Sequence, residues 1–177
     1  MMKMSNNFDI VIAALKFLDL KPNIHQYKGR FIIQKTVHLA QALGLKTDYY
    51  FTIYVSGPYS PALAHEYYQH SERLASLQTD YELTPQDIQL LENIKKCCDL
   101  YEDAFLMEAT STIVYLMKNR PELKEDDVLI QLKWLKPHLN DQIRIIGLTR
   151  AKALLFKPKY FTEELKKELE EWEKIDD

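Results

Sequence analysis

Between Phe31 and Leu63 the chain changes its periodicity twice, and these changes restrict the fold more than any other feature. The stretch opens FIIQKTVHLAQALGL. Ile32, Val37, Leu39, Ala40 and Leu43 cover a broad helical face, while Arg30, Gln34, His38 and Gln41 fall together on the other. One side is expected to pack and the other to face outward as a polar stripe. Gly44 supplies a helix stop, after which Tyr50 to Val55 alternate large β-formers with Thr52 as a strand does. Gly57-Pro58 then breaks the strand, Ser60 is a good N-cap, and Pro61 occupies the first helical position, where a missing N–H costs nothing. The stretch therefore reads as helix, strand, tight turn and helix start.

The flanking segments are helical. Phe8, Val11, Ile12, Leu15 and Leu18 recur on a helical period that ends before Lys21-Pro22. Two helices followed by a strand are also how a winged-helix module begins. Beyond the turn, Leu63, Ala64, Tyr67, Ser71 and Leu74 form one helical face, and Asp80 to Leu83 is the only later segment suited to pair with Phe51 to Val55. Thr84, Pro85 and Asp87 resemble a capping box ahead of Ile88, Leu91, Ile94, Cys98 and Tyr101. Helices follow over Phe105 to Met117, after Pro121 with Glu125, Asp126 and Asp127 in a first turn, and over Asp141 to Phe156 behind Asn140. A last, acidic helix is expected after Thr162, with Leu165, Leu169 and Trp172 as its narrow apolar stripe. The expected fold class is mainly α, a single compact helical domain with a winged-helix-like element and a small two-stranded sheet.

The run F-I-I-Q-K-T-V-H-L-A-Q-A-L-G, with Tyr50, Phe51, Tyr54, Gly57-Pro58-Tyr59-Ser60 and Leu63, resembles the YwgA-like family of small prokaryotic proteins. More remotely, it is similar to the Panacea domain of antitoxins, including the SocA-like ones. Glu108 to Leu116 and Leu135-Lys136-Pro137 resemble the second half of YwgA-like proteins, so the likeness spans roughly residues 8–155. The resemblance implies a helical fold with a winged-helix-like element. The Panacea likeness implies a regulatory or toxin-neutralising protein.

Composition narrows the class further. A chain of 177 residues, 46% hydrophobic and 28% charged, suits one well-buried domain, and its four glycines include no linker. No charged leader precedes a long apolar core and no apolar run approaches the ~20 residues that span a bilayer, so a cytoplasmic protein with no membrane partner is expected. Cys97 and Cys98, adjacent on a helix with no other cysteine to meet, read as reduced thiols. The net charge of −3 argues against a protein that coats nucleic acid by bulk electrostatics. Its distribution is uneven: Leu20 to Thr47 holds Lys21, Lys28, Arg30, Lys35 and Lys46 with no acid, which leaves −8 on the remainder. These cations read either as a solvated helix flank or as an anion-facing patch.

Catalytic signatures are missing. The chain has no C-x-x-C, Walker loop, G-x-G-x-x-G or G-x-S-x-G pattern. His65 and His70 imitate the zinc motif H-E-x-x-H, but the second histidine stands one residue too far on, about 140° round the helix from the first. No metal and no cofactor are expected. Ser60 beside His65 is better explained as a cap than as a nucleophile. Glu108 and Thr112, one turn apart, read as a buried polar pair or as an acid lining a pocket.

The expectation leans away from an enzyme, toward a binding and regulatory protein that contacts nucleic acid or a toxin-like protein partner. The candidate binding residues are Arg30, Gln34, Lys35 and His38 on the polar stripe, with Tyr54, Gly57, Pro58, Tyr59 and Ser60 at the turn. Tyr49, Tyr50, Tyr54, Tyr59, Tyr67 and Tyr68 crowd this region, suited either to stacking or to packing. The alternative is an enzyme with a cryptic pocket near His38, Tyr59 and Glu108.

Overall fold

The structure is a computed structural model that describes residues 6–98, 103–160, 167 and 171. In chain order the elements are α1 (Asn7–Phe17), α2 (Tyr27–Leu43), β1 (Thr52–Tyr54), β2 (Gly57–Tyr59), α3 (Pro61–Gln69), α4 (Ser71–Ala75), α5 (Pro85–Cys97), α6 (Ala104–Asn119), α7 (Glu125–Leu135) and α8 (Asp141–Tyr160). The protein is mainly helical, with one small antiparallel sheet. The acidic segment expected after Thr162 lies outside the described residues, apart from Lys167 and Glu171.

Local signals place the helix ends. Gly44 stops α2 in the left-handed conformation at φ 117°, which glycine adopts without a Cβ penalty. Thr84 and Asp87 form a reciprocal capping box on α5, and the Asn140 side chain accepts the backbone N–H of Ile143 at 2.8 Å at the start of α8. The acids Glu125, Asp126 and Asp127 occupy the first turn of α7.

Two helices lie at the centre. Every residue of α2 from Phe31 to Ala40 is buried, and so is every residue of α6 from Leu106 to Val114. Covering a helix on all sides buries its polar face as well, and those groups must then find partners inside the protein. Thr110 and Ser111 meet this locally, donating to the carbonyls of Leu106 at 2.8 Å and Glu108 at 3.2 Å. On another side α8 packs against α6 at close range: a Cβ on Gly147 would fall 2.9 Å from the Cβ of Ala109.

Two expectations need correction. β1 does not pair with Asp80 to Leu83, which form no strand; it pairs with β2, in the register Thr52↔Tyr59, Ile53↔Pro58 and Tyr54↔Gly57. Gly57-Pro58 is thus the start of the second strand rather than a break. Val55 and Ser56 form the two-residue loop, and Gly57 at φ 95° lets the chain reverse there. Proline is tolerated because this two-stranded sheet is all edge. The single helix expected over Leu63 to Leu74 is interrupted at His70, whose φ of −112° and ψ of 34° leave the helical region between α3 and α4.

Candidate functional site at the hairpin

Gln34 and Lys35 of α2 meet the hairpin, not solvent. Gln34, Lys35 and His38 are only 2%, 3% and 6% exposed, so the polar stripe is a real face of the helix, but it is covered. The hairpin and α6 close over it. Gln34 spends both ends of its amide on Ser60: Oε1 accepts the Ser60 N–H at 2.8 Å, and Nε2 donates to the Ser60 carbonyl at 3.0 Å. This clamp fixes where β2 hands over to α3. Ser60 is fully buried and its hydroxyl accepts the Leu63 N–H at 3.3 Å, so this helix start is internal and capped.

Lys35 lies at the centre of this arrangement. Its Nζ donates to the Pro58 carbonyl at 2.7 Å and stands 5.0 Å from the centre of the Phe31 ring. The nearby carboxylate, Glu108, is shared with other cations. Lys136, 2% exposed and just beyond α7, holds Oε1 at 3.4 Å, while His138 meets Oε2 at 3.1 Å. Lys136 also donates to the carbonyls of Tyr54 and Val55, which anchors the hairpin loop to the end of α7. Two buried lysines therefore share one buried glutamate. Burial lowers the Lys35 ammonium to about 7; Glu108 opposes the shift and Lys136 adds to it.

Thr112 stands beside the same turn. Its hydroxyl is buried without a hydrogen-bond partner, and a Cβ added to Gly57 would lie 2.8 Å from it. Glu108 and Thr112 are both buried but do not hydrogen-bond each other; the acid is directed to Lys136 and His138.

Above Lys35 a pocket of about 240 Å³ opens between α2, the hairpin and α3. Of the candidate residues, Arg30, Gln34, Lys35, Tyr54, Gly57 and Tyr59 line it. Its walls include two aromatic pairs, Tyr54 with Tyr59 at 4.9 Å between ring centres and Tyr67 with Tyr68 at 5.0 Å. The Tyr27 hydroxyl bonds to Ser56 across the loop. Arg30 is half-buried and donates to the Ile24 carbonyl at 2.8 Å. The pocket lining contains two basic residues and no acid.

The remaining candidates separate from it. His38 belongs to a different pocket, with Tyr49, Phe51 and Tyr115. Its ring packs edge-on against Phe51 at 5.0 Å, its Nδ1 has no partner, and burial followed by the Lys35 charge holds it down to about 3. His38 is therefore a neutral core histidine, and it does not share a pocket with Tyr59. Pro58 contributes its carbonyl from a buried position. His65 is exposed and Ser60 is not, which removes the nucleophile–base pair, and among the described residues no group of three or more metal-ligating side chains comes together.

Sequence reasoning missed Lys136 and His138 as partners of Glu108, and Tyr27 and Phe31 as pocket walls. A lysine following a helix carries no periodic signal, so only the tertiary contact identifies it. No protein-family model, curated protein or solved structure matches this chain.

Proposed function

We propose that the protein is a non-enzymatic binding and regulatory module that seats an aromatic or apolar side chain of a protein partner in the tyrosine-lined pocket at the hairpin. The observation that carries this reading is the pocket itself: an apolar, aromatic recess whose rim residues Tyr27, Tyr54 and Tyr68 are more than half exposed at 60%, 52% and 54%. Tyrosines of this kind provide large, stiff contact area with a polar tip, as expected of an anchor site. A toxin-like partner would agree with the regulatory role implied by the Panacea resemblance.

A protein partner is favoured over nucleic acid by the placement of charge. Of the five cations in the acid-free stretch, Lys35 is buried and Arg30 is tied to a backbone carbonyl, while Lys21, Lys28 and Lys46 remain exposed. Tracking a phosphate backbone calls for several solvent-facing cations on one surface, in a protein whose net charge here is −3.

The test is co-purification from the native host with wild-type, Tyr54→Ala and Tyr68→Ala baits, alongside anisotropy titrations of random-sequence DNA and RNA at two salt concentrations. The expected result is one stoichiometric protein partner, lost in both variants at unchanged melting temperature, with no nucleic-acid binding. A partner retained by both variants overturns the pocket as the site. Nucleic-acid affinity falling steeply with salt overturns the choice of partner.

A further inference from the structure

Resting on that pocket as the recognition site, we propose that its ligand is an aryl carboxylate, with an aromatic ring held among the tyrosines and a carboxylate meeting Lys35 and Arg30. The group can arrive as a free aromatic acid or as the terminal aromatic residue of a polypeptide, with its α-carboxylate.

The charges select the anion. Aromatic cages commonly receive cations, but this one is lined by Lys35 and Arg30 with no acid among the lining residues, so a cation would meet like charge. Among the described residues no carboxylate forms an ion pair with Lys35. Pro58 takes one of its three N–H donors, and the Glu108 charge that acts on it from nearby is divided with Lys136 and His138, its Oε1 left without a hydrogen bond. Gln34, a neutral amide clamped on Ser60, brings no counter-charge. An entering carboxylate would give this buried cation a counter-charge beyond its share of Glu108. A recess of about 240 Å³ matches one ring with a short acidic arm.

Proton uptake should accompany binding. With its ammonium lowered to about 7, Lys35 is about half protonated at neutral pH, and a carboxylate beside it favours the charged form. The charged groups acting on Lys35 are Glu108 from α6 and Lys136 from beyond α7; on α2 its own charge acts on His38, and Arg30 lines the same pocket. His38 stays neutral at this pH. Burial raises the Tyr67 hydroxyl to about 12, so it too holds its proton.

The experiment is isothermal titration calorimetry of the full chain near pH 7, in phosphate and in Tris. The probes are 3-phenylpropionate, a short peptide ending in phenylalanine, the same peptide with its C-terminus amidated, and phenethylamine. Acid probes are expected to bind at least about tenfold tighter than the amide and the amine, with uptake of about half a proton seen as a buffer-dependent enthalpy. A peptide that outbinds phenylpropionate identifies a polypeptide terminus as the source, and the reverse identifies a free acid. Lys35→Met should erase the preference for acid over amide, Arg30→Gln should reduce it, and Tyr68→Ala should weaken every probe. If Lys35→Met does not fold, Arg30→Gln and the acid–amide comparison on the wild type still decide. Equal affinity for acid and amide, or an enthalpy independent of buffer, overturns the anion contact and leaves the pocket reading standing. Failure of every ring-bearing probe to bind folded protein overturns both.

Discussion

Raising the pH from about 7 to about 8.5 should stabilise the wild-type protein, and Lys35→Met should abolish the gain. In the unfolded chain this lysine keeps its proton throughout the interval, since its ordinary value is near 10.4. In the folded protein burial lowers it to about 7, so the ammonium is progressively released across the same interval. The unfolded state then binds more protons than the folded one, and stability rises with pH. Integrating a single site between those limits gives about 1.5 kcal/mol, at about 1.4 kcal/mol per unit where the difference is complete. For a domain of this size the gain corresponds to a melting temperature higher by roughly 3–6 °C. The window closes above about 8.5, because burial raises the Cys98 thiol to about 12; its unfolded form ionises first, and that term has the opposite sign. Urea denaturation followed by circular dichroism at several pH values provides the measurement, with Lys35→Met as the control. A flat wild-type profile, or a slope that persists in the variant, refutes the assignment of a surplus buried cation at position 35.

Three further outcomes follow from neighbouring contacts. Gly57→Val should cost about 2–3 kcal/mol, since φ 95° strains a β-branched residue and its Cβ would lie 2.8 Å from the Thr112 hydroxyl; an unchanged thermal midpoint would refute this. Gln34→Leu should cost about 1–3 kcal/mol in urea titrations because it strands the N–H of buried Ser60, whose carbonyl keeps the Ala64 N–H at 3.1 Å, and a loss under ~0.5 kcal/mol would show the clamp to be dispensable. His38, held neutral at about 3 by burial, contributes stability that is present above its ordinary value near 6.5 and is lost as pH falls toward 5, at up to about 1.4 kcal/mol per unit. His38→Phe should flatten that acid limb, and an identical acid limb in the variant would assign it to other groups.

The elements that could be read in advance are those set by neighbours in the chain. The left-handed stop at Gly44, the Thr84–Asp87 capping box, the Asn140 cap and the acids in the first turn of α7 each depend on contacts within about one helical turn, so residue type and spacing suffice. The grouping of Arg30, Gln34 and His38 on one side of α2 was legible for the same reason, because periodicity gives the angle of a side chain about the helix axis. It does not say what lies opposite. Whether that stripe met water, the hairpin or α6 depended on distant segments coming together, and so did the partner of β1, where a two-residue reversal at Gly57 prevailed over Asp80 to Leu83. The buried charges are the clearest case. Lys35, Glu108, Lys136 and His138 come from α2, α6 and the segment after α7, and each is an unremarkable polar residue in its own stretch. Only packing brings them together in a medium that screens charge poorly, and there two buried lysines meet a single glutamate.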